Sequence, residues 1–125
     1  MNITLLTGAF FSLTAVIAGA LVNHVIDPQY AGKVISAVRL QQIHGLVIVA
    51  IGLSFYSTLP DGLVRNLKIA TGLFALGMVL FSGGIYLRHF LGFSIEGTLI
   101  PIGGATVMAG WLAVMWAGAR HKASG

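Results

Sequence analysis

The chain has 125 residues, of which 57% are hydrophobic and 8% charged, against about 25% charged in ordinary soluble domains. Water is therefore not its main solvent. A net charge of +4 comes from seven Lys and Arg set singly among apolar stretches, with no basic run interleaved with aromatics, which excludes a nucleic-acid partner. The absence of cysteine excludes disulfides, thiolate catalysis, iron-sulfur clusters and thiolate metal sites.

A bilayer core about 30 Å thick takes roughly 20 apolar residues of helix. Residues 3–22 carry no charge and meet that length. Ala18-Gly19-Ala20 resembles a signal-peptidase site, but no Lys or Arg precedes the run and its apolar part exceeds the usual ~7 to 15 residues, so it reads as a span. Gly8, Ser12, Ala15 and Gly19 form a stripe of small residues along it, as helices that approach closely in lipid require. That stripe suits packing within the bundle, with a contact between copies as the alternative.

Asp27-Pro28 reads as a turn, followed by a short interfacial helix before a second span, which with its polar opening covers residues 37–59. That opening holds Arg39, Gln41, Gln42 and His44. At 100° per residue Arg39 and Gln42 lie about 60° apart, as do Gln41 and His44, and the two pairs point in nearly opposite directions. Pro60-Asp61-Gly62 marks the next turn, and a third helix covers about 67–89. It contains Ser82-Gly83-Gly84 and ends in Tyr86, Arg88 and His89. A fourth covers about 97–119, with Pro101 in its first turn and Gly103-Gly104 close behind. Gly83, Gly84, Pro101, Gly103 and Gly104 together read as tight packing of the third helix on the fourth.

Short connections favour an antiparallel up-down-up-down order. The expected fold is thus an all-α integral membrane protein, a single domain over residues 1–125, with four transmembrane helices in an antiparallel bundle. Arg65, Lys68, Arg120 and Lys122 fall on one side and Lys33, Arg39 and Arg88 on the other, which places both termini in the cytoplasm.

Antiparallel order gathers polar residues at the opposite face. His24, Arg39, Gln41, His44, Tyr86 and His89 are the candidate ligand-binding set, for an organic molecule, a lipid headgroup or a quinone. His24, His44, His89 and Glu96 are the candidate metal ligands, since zinc or copper needs three or four such groups converging. No HxxxH or ExxH spacing pre-forms any pair. The plainer expectation is that these side chains satisfy loop carbonyls and headgroups.

Three blocks carry a resemblance: GALVNH at 19–24, AVRLQQIHGLVIVAIGL at 37–53, and LFSGGIYL with IPIGGATVMAGWL from 80 to 112. In this order they resemble the motifs of the small bacterial inner-membrane proteins of the YgdD type, a domain of unknown function related to animal transmembrane protein 256. The resemblance implies four membrane helices and no established activity, and His24, Arg39, Gln41, His44, Ser82, Gly83, Tyr86, Pro101, Gly103, Gly104 and Trp111 fall on motif positions. The chain departs from the motifs at Leu21-Val22-Asn23 and at Ile43. With no catalytic constellation, the expectation is a non-enzymatic accessory or scaffold protein of the inner membrane, without a cofactor, that forms a homo-oligomer or joins a larger complex in the lipid bilayer. A site binding ligand, quinone or metal is the first alternative, and an oligomeric transporter or channel the second.

Overall fold

The computed structural model describes residues 1–93 and 96–122, without the side chain of Glu96. Those residues form four helices: α1 (Ile3–Val25), α2 (Pro28–Ser54), α3 (Asp61–Leu91) and α4 (Glu96–Arg120), each long and apolar enough to cross a membrane.

Local chemistry sets the helix ends. Asn2 caps α1 by accepting the Leu5 N–H at 2.9 Å, and its amide nitrogen donates to the Gly52 carbonyl at 2.8 Å, tying the start of α1 to the end of α2. Asp27 accepts the Gln29 N–H and Pro28 takes the first helical position, so the Asp-Pro pair opens α2. This corrects the expectation of a separate interfacial helix, because α2 runs unbroken from Pro28 and begins nine residues before position 37. It also ends at Ser54 instead of 59, where Phe55 and Tyr56 close a tight final turn onto the Gly52 and Leu53 carbonyls. Pro60 likewise introduces α3, which starts at Asp61 with the acid in its first turn, where the helix dipole favours it. Gly92 stops α3 at φ 81, with its N–H on the Arg88 carbonyl. Because α4 starts at Glu96, Pro101 lies inside the helix and not in its first turn as the sequence reading had it, leaving the Gly97 carbonyl without its usual amide partner.

The helices alternate in direction. Asn2 meets Gly52, the Tyr30 ring lies 5.2 Å from the His89 ring, and a side chain at Gly62 would meet His121. The central helices are the more enclosed: 44% of the apolar window is buried in α2 and in α3, against 22% in α1 and 17% in α4. Among the described residues α1 does not approach α4, and α2 reaches α4 only through side chains, so the bundle is open on one flank.

Backbone contact defines two helical hairpins. A Cβ on Gly8 would lie 2.5 Å from the Val49 nitrogen, and one on Gly52 2.6 Å from the Leu5 nitrogen. Gly45 faces Ser12, Ala15 is fully buried, and Gly19 has only Val38 nearby at 3.5 Å. The small-residue stripe of α1 therefore packs on α2 of the same chain. In the second hairpin Gly77 and Gly103 interlock, each so close to the other's helix that a Cβ would lie 2.9 Å from the partner glycine's carbonyl. Gly84 faces Leu99, Gly104 has only the Phe81 ring at 4.0 Å, and Gly83 faces no neighbour at all. Of the second-hairpin residues read as α3–α4 packing, Gly84 and Gly103 stand on that contact; Gly83 does not.

Candidate functional site

His44 stands ten residues before the end of α2, about 15 Å along the axis, and is 5% exposed. A buried titratable ring needs partners. Its Nδ1 is 2.7 Å from the Leu40 carbonyl and its Nε2 is 2.9 Å from the Trp111 indole nitrogen. An indole N–H only donates and a carbonyl only accepts, so Nε2 is the bare acceptor and Nδ1 carries the proton. Phe74 completes the cluster, 5.2 Å from the His44 ring and 5.0 Å from that of Trp111. The cluster links α2 and α4 through side chains.

One turn away, Gln41 is 4% exposed and joins three helices. Its amide nitrogen donates to the Phe11 carbonyl at 2.9 Å and to the Thr14 hydroxyl at 2.6 Å on α1, while its oxygen accepts the Tyr86 hydroxyl at 2.8 Å from α3. The Phe11 carbonyl can only accept, which fixes which way round the amide sits. Thr14 passes its own proton back to the Phe10 carbonyl at 3.0 Å. Close by, Ser82 donates to the Ala37 carbonyl at 2.8 Å.

The 60° offsets along α2 hold in three dimensions. Gln41 and His44 face inward, while Arg39 and Gln42 on the other side of the helix are exposed. Of the candidate ligand set, Gln41 and Tyr86 are joined by a hydrogen bond. His44 is engaged with Trp111, His24 and Arg39 are exposed, and His89 is half-buried beside Tyr30. Of the candidate metal ligands, His44 has both nitrogens committed, and among the described residues no three His, Asp or Glu groups converge. The Glu96 side chain lies outside the described residues.

Thr14, Phe74 and the pairing of Trp111 with His44 were not anticipated. Depth carries the only signal for that pair, since a histidine within a span needs a partner and an indole N–H can supply one. Nothing in the sequence marks Thr14.

Where α1 and α3 diverge above α2, a groove of about 390 Å³ opens on the lipid-facing side. Phe10, Phe11, Tyr86 and Phe90 contribute aromatic walls, and Thr14, Gln41 and Ser82 lie among the other lining residues.

Four apolar helices joined through buried polar side chains define a polytopic integral membrane protein. The chain belongs to a family described as a protein of unknown function (DUF423), whose profile matches residues 18–104. It is 33% identical over 116 residues to a UPF0382 membrane protein of Staphylococcus haemolyticus, covering 90% of this chain and 91% of the relative. It is 28% identical to the UPF0382 membrane protein YwdK of Bacillus subtilis, covering 97% and 99%, and 23% identical to one from Haemophilus influenzae, covering 98% and 94%. The motif resemblance thus reflects membership of a family of small membrane proteins of unknown function. No solved structure matches the chain.

Proposed function

We propose that the protein is a non-enzymatic accessory component of the bacterial inner membrane, acting by lateral association with its own copies or with a larger membrane complex. The observation that carries this reading is the open flank: among the described residues α1 and α4 do not meet, and each presents large apolar side chains outward, Phe10, Leu13 and Val16 on α1 and Met108, Leu112 and Met115 on α4. The buried polar groups of Gln41, His44 and Ser82 support it, because they bond within the chain and present no activated nucleophile or acid-base pair. No cofactor is required on this reading. The excess of positive charge at the end that carries Arg65, Lys68, Arg120 and Lys122 supports a cytoplasmic location for both termini.

Native mass spectrometry of the protein released gently from its own membranes tests the association. The expected spectrum shows more than one copy or a co-released membrane protein. A lone monomer under every mild condition overturns the proposal.

A further inference from the structure

The groove between α1 and α3 has polar side chains on its lining, yet among the described residues it offers a ligand no spare hydrogen-bond donor. Its polar side chains are Thr14, Gln41, Ser82 and Tyr86. The Tyr86 O–H is spent on Gln41 Oε1, the Gln41 amide on Phe11 and Thr14, the Thr14 O–H on the Phe10 carbonyl, and the Ser82 O–H on the Ala37 carbonyl. What remains are lone pairs, and with Gln41 only 4% exposed the one within a ligand's reach is on Tyr86 Oη. Turning a hydroxyl outward to serve a ligand would leave a buried acceptor unpaired, which is costlier than forgoing the ligand bond. A carbonyl-headed molecule would set its lone pairs against those of the groove, whereas a molecule that brings its own hydroxyl meets a ready acceptor.

The walls narrow the choice. Phe10, Phe11, Tyr86 and Phe90 offer faces and edges to a flat ring. The groove opens sideways between two helices that separate above α2, so an occupant arrives from the lipid and its tail can stay there. Gly83 lies on the lining with open space where a Cβ would stand, which keeps the entrance wide.

We propose that this groove is a binding site for the reduced form of a membrane quinone, a tailed aromatic diol whose phenolic O–H donates to the Tyr86 hydroxyl oxygen. Preference for quinol over quinone follows from the donor inventory and involves no electron transfer by this chain.

The test uses the full chain in lipid nanodiscs and measures binding of decylubiquinol, held reduced under argon, of decylubiquinone and of dioctanoylglycerol, each corrected for partition into empty discs. Decylubiquinol is expected to bind saturably and roughly tenfold more tightly than decylubiquinone, the equivalent of one unpaired buried acceptor. Gly83→Leu, which fills the entrance without meeting a neighbour, is expected to weaken decylubiquinol by about tenfold or more, with circular dichroism unchanged. Leu76→Phe, on the lipid face of α3 outside the groove, is expected to bind as the parent does. Equal binding of the two redox forms, tighter binding of dioctanoylglycerol, unchanged binding by Gly83→Leu, or no saturable binding would each overturn the proposal.

Discussion

Trp111 donates one hydrogen bond to His44, which is 5% exposed. Side-chain hydrogen bonds between membrane helices average about 0.6 kcal/mol and reach about 1.7 kcal/mol in coupling measurements, because the unfolded chain in lipid finds other partners. A double-mutant cycle of His44→Phe and Trp111→Phe, read by unfolding in mixed micelles, should give a coupling in that range. Its upper end is favoured because Phe74 packs against both rings. Gln41 carries more bonds to more helices. In Gln41→Leu the Tyr86 hydroxyl and Thr14 oxygen lose their partner together, and a loss of about 1 to 3 kcal/mol is expected in the same assay. A smaller loss than for Trp111→Phe would show that lipid-side groups replace the amide. The sequence alone separated the inward pair from Arg39 and Gln42, because angular offset along a helix is local geometry. It could not pair Gln41 with Thr14 and Tyr86, which stand 27 and 45 positions away.

At the scale of the helix the decisive residues are the glycines, which differ sharply in the space they leave. A Cβ on Gly52 would lie 2.6 to 2.7 Å from the Leu5 backbone, so Gly52→Ala must push α1 away from α2 and should cost about 1 to 3 kcal/mol by overpacking. Gly19→Ala, whose new methyl would sit 3.5 Å from a flexible Val38 branch, should be neutral or gain up to about 1 kcal/mol of helix propensity. Equal effects of the two changes in a thermal unfolding series would mean that α1 does not rest on α2 as described. The stripe Gly8, Ser12, Ala15 and Gly19 was legible as a packing surface from its spacing alone. Gly45, Gly52 and Gly77, which receive or oppose such stripes, drew no attention because each stands among large residues and only a facing helix gives it meaning. The start of α2 shows a similar limit: Asp27-Pro28 fits either a turn or a cap with proline at the first helical position.

For the molecule as a whole, an even number of spans puts both ends on one side, and the absence of cysteine makes this directly measurable. Single cysteines introduced at Gln29 and at Ser57, both exposed and at opposite ends of α2, should react with a membrane-impermeant maleimide in intact cells at Gln29→Cys only. Ser57→Cys should label after permeabilisation. The reverse pattern would invert the orientation proposed from the positive charges.

Composition and run length determined the solvent, the number of spans and, through short connections, their alternating direction, since each of these depends on the chain's local exchange with lipid and water. The tertiary structure decided the rest: that α2 begins at Pro28 and sets a buried His44 against Trp111, that Gln41 joins three helices, and that α1 and α4 leave one flank open. Those outcomes depend on which helix face meets which, and in a solvent as apolar as the side chains themselves that choice rests on close backbone approach and on a few long-range hydrogen bonds.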